Sequence, residues 1–254
     1  MTGRLQGERA LVTGSTSNIG RAIAERFAAE GAHVIVSGRD VARGAEVVDG
    51  IRAAGGRADF VRADLDGSPG ASRALAEQAA AALGGGIDVL VNNAGVYPPG
   101  TTATTDEQTF DRVYAVNVKA PFFLTAVVAP EMAAAGKGAI VNLGSWVARL
   151  AVPVGALYAS TKGAMETLTR AWAAEFGPRG VRVNAISPGV ILEPAPGEPH
   201  PGEVMMNGTP AGWLGKPRYI ADAAVYLASG EASYLHGTVL DVDGGRTSTA
   251  VIAA

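Results

Sequence analysis

The feature that most constrains the fold is a repeated alternation of short β-branched runs with long Ala/Leu/Glu/Arg stretches. Strand candidates are RALVT near residue 10, HVIVS (33–37), ADFVRA (58–63), IDVLVN (87–92), GAIVNLG (138–144), VRVNAIS (181–187) and TVLDVDG (238–244). Helical patterns occupy about 19–30, 40–54, 68–83, 105–135, 156–176 and 219–229. Strands joined through helices are parallel, because a crossover returns the chain to the same end of the sheet. The runs are apolar nearly throughout, as they must be when helices cover both faces. Gly31, Gly55-Gly56 and Gly177-Pro178 stand where three of the helices should stop. The expectation is an α/β fold with one doubly wound, parallel, seven-stranded sheet and helices on both faces. No linker or charge block divides the 254 residues, so residues 1–254 are expected to form a single domain.

Composition narrows the function classes. The chain has no cysteine, which excludes disulfides, thiolate metal sites and a cysteine nucleophile. The net charge of -3 gives no footprint for nucleic acid. The start, MTGRLQGERALVTG, lacks the apolar stretch of a signal peptide. No apolar run reaches the roughly 20 residues of a membrane span. The expectations are a cytoplasmic protein with no membrane and no nucleic-acid partner. His33, His200 and His236 are scattered without ligand spacing, so no metal site is expected.

Two segments interrupt the regular pattern. TGSTSNIG, Thr13 to Gly20, lies between the first strand and the first helix, where glycine-bearing turns cradle phosphate on a helix N-terminus. Its spacing is not G-x-G-x-x-G, and Asn18 stands where a glycine is expected. Asparagine enters the left-handed region more readily than most residues, so Asn18 suits a position needing positive φ. Residues 192–217 are rich in Pro and Gly and carry Met205, Met206 and Trp213. They follow the sixth strand on the edge where open α/β sheets bind ligands, and read as a substrate lid, or else as a plain surface loop.

The chemistry-bearing residues follow. In YASTK, Tyr158 and Lys162 are i, i+4 on one helix face. A phenol of pKa about 10 is a poor base at neutral pH. An ammonium about 4 Å away, at an effective dielectric of about 20, would favour the phenolate by about 4 kcal/mol. The pair is thus a candidate general acid/base, or a tyrosine packed beside a solvated lysine. Ser145 closes a central strand, where its hydroxyl would face the ligand crevice or cap a turn. Asn117 sits mid-helix in YAVNVKAPF, a mildly unfavourable place that invites a role or a helix-bending hydrogen bond. NNAG (92–95) and SPG (187–189) end two further strands, with Gly95 admitting close backbone approach to a ligand or making an ordinary turn.

TGSTSNIG, NNAG, Asn117, Ser145, YASTK and PG, in this order and spacing, resemble the short-chain dehydrogenase/reductase family in its single-domain, Rossmann-type branch, over essentially the whole chain. The resemblance implies an NAD(P)-dependent oxidoreductase acting on a small-molecule ketone or secondary alcohol. It makes Tyr158 the proton donor or acceptor, with Lys162 lowering its pKa and holding the nicotinamide ribose. It makes Ser145 the group that orients the substrate oxygen, and Asn117 the holder of a relay water. Its dinucleotide-binding positions here are Gly14, Ser15, Ser17, Asn18, Ile19, Gly20, Ser37, Arg39, Asp64, Leu65, Asn93, Ala94, Gly95, Tyr158, Lys162, Pro188, Gly189 and Ile191. Glu193 departs from the threonine that the family often has, leaving its role open. At the end of the second strand, VIVSGRD puts Gly38 in the place of a ribose-binding acid, with Arg39 following. This favours NADP(H) over NAD(H), Ser15 and Ser37 joining the phosphate contacts, although Asp40 as a ribose ligand would make the protein an NAD-dependent alcohol dehydrogenase. Tyr97, Pro98, Trp146, Val152 and Val154, with the lid, suggest a hydrophobic ketone or 3-oxoacyl substrate, bound by Ser145, Trp146, Tyr158 and Tyr97. The resemblance implies a homotetramer, with the tail STAVIAA at one interface. The alternative class is a non-catalytic dinucleotide sensor or scaffold.

Overall fold

In the computed structural model, which describes residues 3–153, 155–192 and 201–250, seven strands pair in parallel in the order β3-β2-β1-β4-β5-β6-β7. They are β1 (Arg9–Thr13), β2 (His33–Gly38), β3 (Arg57–Arg62), β4 (Val89–Asn92), β5 (Gly138–Leu143), β6 (Val181–Pro188) and β7 (Val239–Val242). The helices are α1 (Asn18–Ala29), α2 (Val41–Ala53), α3 (Pro69–Leu83), α4 (Glu107–Tyr114), α5 (Ala120–Ala134), α6 (Ala156–Phe176) and α7 (Pro217–Ala228). The expected architecture is present. Strand order reverses between β1 and β4, which opens a crevice at their carboxyl ends.

Successive strand residues go to opposite cores, which explains the unbroken apolar runs. Ala10, Val12, Val34, Val36, Val89 and Val91 pack under α1, α2 and α7, against Ile23, Phe27, Ile51 and Ile220. Leu11, Ile35, Leu90 and Ile140 pack on the other face against Leu75, Leu124, Met132 and Trp172, from α3, α5 and α6.

The helix expected over 105–135 is broken. Between α4 and α5 the chain makes a π turn, Ala115–Lys119, closed by the Ala120 N–H donating to the Ala115 carbonyl. Pro121 supplies a physical reason, because it has no N–H for the carbonyl four residues back, that of Asn117. Within Glu107–Ala134 an 18-residue window reaches a mean hydropathy of 1.4, enough by composition for a membrane span. Its buried side belongs to the core against α3 and the sheet, the ordinary place of such a helix in this architecture. After α6 the chain turns at Gly180, φ +84°, past a short 3-10 turn at Gly177–Arg179 and not at Gly177 itself.

Of the segment expected to form a lid, residues 193–200 with Glu193 and His200 lie outside the described residues, as do Val154 and residues 251–254 of the tail. The remainder is tethered. The Gly215 N–H donates to the Val190 carbonyl, and the Ala211 N–H to the Gly244 carbonyl.

Candidate active site

The Thr13–Gly20 turn lies at the switch point. Gly14 has φ +63°, and a Cβ there would fall 2.8 Å from the Ala94 Cα. A Cβ on Gly20 would strike the Gly14 carbonyl and the Asn93 amide. Only glycine lets turn, loop and helix meet backbone to backbone. Asn93 locks the junction, its Nδ2 donating to the Thr13 and Gly14 carbonyls at 2.9 and 3.0 Å. Thr13, which sequence reasoning passed over, accepts the Asn93 and Ala94 N–H groups on its hydroxyl. Its only advance signal is its place just before Gly14.

Asn18 has φ +46°, the one positive φ on a non-glycine among the described residues. Ser17 holds the N-cap position without a side-chain cap bond. Asn18→Gly is therefore expected to unfold in denaturant at the wild-type midpoint or slightly above it. Asn18→Val should lose about 1–3 kcal/mol, and a valine variant as stable as wild type would show that backbone conformation does not select asparagine here.

Ser15 requires correction. Its fully buried hydroxyl donates to the Val12 carbonyl at 2.7 Å and accepts the Ser37 N–H at 2.9 Å. It staples β1 to β2 and does not line the cleft. Its neighbour Thr16, which the sequence does not single out, does line it, and packs where a Cβ on Gly38 would go. Asp40 is the N-cap of α2, accepting the Arg43 N–H at 3.1 Å and its guanidinium at 2.8 Å. Arg39 is exposed beside it, with no hydrogen bond or ion pair among the described residues.

At the other end, Ser145 precedes a 3-10 turn at Trp146–Ala148 but makes no cap bond, which removes its structural alternative. Its hydroxyl lies near enough to the Tyr158 phenol to oppose the rise in the phenol's pKa. Tyr158 and Lys162 lie on one face of α6, Nζ 5.5 Å from the ring centroid. The Lys162 ammonium, only 5 % exposed, donates to the Leu143 carbonyl at 2.8 Å.

The electrostatics correct the sequence argument. Burial pushes the Tyr158 phenol up to about 12; the nearby Ser145 hydroxyl opposes this and Tyr97 adds to it. Burial alone brings Lys162 down to about 8. Lys162 does not bring the phenol toward neutrality in this geometry. Its charge sits on a backbone carbonyl, and desolvation of the phenol dominates.

Asn117 is buried under the π turn. Its Oδ1 accepts the Val96 N–H at 2.8 Å, and its Nδ2 donates to the Val96 carbonyl at 3.0 Å and the Thr161 hydroxyl at 3.2 Å. It thus fixes the loop after β4 against α6. Tyr97 packs on Tyr158 with its ring tilted by 55° and centroids 4.6 Å apart. Trp146, expected to touch substrate, is buried with the Arg246 guanidinium 4.3 Å above its ring and does not line the cleft.

One cleft of about 1200 Å³ joins these parts. It runs from Arg39 past Ser17, Asn18, Ile19 and Gly20 to Ser145, Tyr158 and Lys162, with Ser37, Asp64, Leu65, Asn93, Ala94, Gly95, Tyr97, Pro188, Gly189 and Ile191 on its walls. Drug-sized ligands occupy roughly 300–1,000 Å³. A longer cleft with a glycine cradle at the switch point fits a nicotinamide dinucleotide.

Comparison with known proteins agrees. A family model described as enoyl-(acyl carrier protein) reductase matches residues 14–247. The chain is 39% identical over 248 residues to 2,5-dichloro-2,5-cyclohexadiene-1,4-diol dehydrogenase of Sphingobium indicum, covering 96% of this chain and 98% of that one. It is similar to the structure of a 3-oxoacyl (acyl-carrier-protein) reductase from Agrobacterium tumefaciens C58 with NADP bound, with TM-score 0.88, 32% identity and 95% of each chain covered. It is similar also to 7α-hydroxysteroid dehydrogenase complexed with NADH and 7-oxo glycochenodeoxycholic acid, with TM-score 0.88, 38% identity and 95% of each chain covered. With the glycine turn, the serine, tyrosine and lysine in one cleft and relatives matched end to end, the chain belongs to the short-chain dehydrogenase/reductase family of oxidoreductases acting on alcohols and ketones.

Proposed function

We propose that the protein is an NADP(H)-dependent carbonyl reductase, interconverting a hydrophobic ketone or 3-oxoacyl group and its secondary alcohol. The observation that carries this reading is the convergence of Ser145, Tyr158 and Lys162 on the glycine-cradle cleft. The dinucleotide supplies or accepts the hydride. The Ser145 hydroxyl and the Tyr158 phenol both reach the cleft, positioned to donate to one substrate oxygen as negative charge grows on it. With the phenol near 12 and the lysine near 8, both are mainly protonated at pH 7, the resting state of a proton donor. Reduction therefore starts from the populated state, and oxidation must first lose a proton. The Asn117 side chain is fully committed to Val96 and Thr161. A relay water would then sit on its backbone carbonyl, which Pro121 cannot engage.

The preference for NADP(H) rests on Arg39 and Asp40. The Asp40 carboxylate is committed to Arg43, while Arg39 has no partner among the described residues and is available to a 2'-phosphate. Arg39→Ala should raise KM for NADPH at least tenfold, on the scale of one lost charge-assisted hydrogen bond, and leave KM for NADH nearly unchanged. Equal effects on both cofactors would refute the assignment.

Tyr97, Val204 and Trp213 are exposed at 57%, 72% and 63%, and support an apolar substrate. A homotetramer is proposed on the exposed apolar groove between α5 and α6, lined by Val118, Phe122, Phe123, Ala164 and Leu168. A panel of ketones of rising hydrophobicity, read by NADPH oxidation, tests the whole reading; no turnover with any of them would overturn it.

A further inference from the structure

An ionic cluster that the reaction does not use lies behind Ser145. Arg149 ends the turn that Ser145 begins. Its Nη1 donates to the Asp241 Oδ2 at 2.8 Å, and its Nη2 also engages the Asp241 carboxylate. Asp241 belongs to β7, and β6 lies between β5 and β7. Arg149 therefore ties the turn after β5 to a strand that is not β5's neighbour. The Arg149 Nε also lies 3.5 Å from Oε1 of Glu166, buried on α6 one turn beyond Lys162. Four residues past the end of β7, Arg246 stacks on Trp146, the residue after Ser145. The turn carrying Ser145 is thus held to the catalytic helix by one contact, to the edge strand by one and to the segment after that strand by one.

We infer that Arg149 and Asp241 form a clamp that positions the Ser145 hydroxyl against Tyr158, with Arg246 on Trp146 as its second hold. The pair does not line the cleft. It acts by fixing a turn whose hydroxyl must meet the phenol and the substrate oxygen together. A displacement of about 1 Å at such a group can cost as much as about a hundredfold in rate. A two-pronged guanidinium–carboxylate contact fixes orientation as well as distance, which a lysine cannot do. The partly exposed pair contributes little to global stability, so its effect belongs in the rate.

This inference rests on Ser145 acting in the proposed reduction, and the experiment separates the two. Arg149→Met and Asp241→Asn are compared with wild type, each with and without Ser145→Ala. Each single variant is expected to lower kcat for ketone reduction roughly tenfold, with dinucleotide Kd, read by fluorescence, within twofold of wild type. The double variant Arg149→Met/Asp241→Asn should be no slower than either single one, since both remove the same clamp. In the Ser145→Ala background the two substitutions should have no further effect on kcat, a result that a merely structural role would not produce. Unchanged kcat in the folded single variants, or an equal fold-loss with and without Ser145, overturns the clamp. If Arg149→Met does not fold, Arg149→Lys keeps the charge without the two-pronged contact. A loss of about threefold is expected of it, confined to the Ser145 background, and unchanged kcat counts against the proposal. Absence of ketone reduction by the wild-type protein would instead remove the functional reading beneath it.

Discussion

Tyr158→Phe is expected to lower kcat for ketone reduction by about 10²–10⁴-fold, the usual worth of a positioned general acid, while dinucleotide Kd stays within a few-fold. The substitution removes one oxygen from a ring held on both sides. The tilted Tyr97 ring packs with its centroid 4.6 Å away, and Lys162 lies 5.5 Å from the centroid. Both contacts survive in phenylalanine, so the fold and cleft should survive with them. What is lost is a hydroxyl that lines the cleft beside Ser145 and is carried on the lysine's helix. Ser145 cannot take over, because an alkoxide is a far worse leaving base than a phenolate. With the phenol near 12, the rate of reduction by wild type should be flat across pH 6–7 and governed above that by the group near 8. Steady-state rates and fluorescence titration check both parts, and equal turnover by the variant would remove Tyr158 from the mechanism.

The parts of this site that were legible in the sequence are those fixed by local backbone needs. The glycines of the first turn, and Asn18 as their substitute, are read from φ requirements that only a few residues meet. The sheet was legible because strands covered on both faces must be apolar at every position. What escaped depends on partners distant in sequence. Ser15 looks like a phosphate ligand until Ser37, 22 residues on, takes its hydroxyl. Trp146 looks like a pocket wall until Arg246 covers it. The π turn at Asn117 keeps the helical pattern on both sides and so leaves no periodic trace. Spacing placed Lys162 beside Tyr158, but it carried no information on burial, and burial sets both proton affinities.

The same burial gives the second large effect, in which catalysis and stability move in opposite directions. Lys162→Met should lower kcat about a hundredfold. The lysine does not lower the phenol's own proton affinity, so the loss expected is that of the one ammonium held 5.5 Å from the ring, whose proposed partner is the nicotinamide ribose. For stability the sign follows from proton binding. Lys162 drops from 10.5 to about 8 on folding, so between these values the unfolded chain holds a proton that the folded one has released. Wild-type stability should therefore rise with pH across that window, by up to roughly 3 kcal/mol. Below pH 8 both states are charged and the cost of burying the ammonium is present in full. The methionine fills similar volume without that charge, so the variant should be at least as stable as wild type at pH 7 despite orphaning the Leu143 carbonyl. Its advantage should shrink as pH approaches 10. The Tyr158 proton acts in the opposite sense, but only between about 10 and 12, and it is common to both proteins. Denaturant unfolding of the two at pH 7 and pH 10 reads the difference directly. Stability differences that stay equal at both pH values would mean that Lys162 is not desolvated on folding, and the same result would remove the basis for a lysine poised near 8 in the reaction.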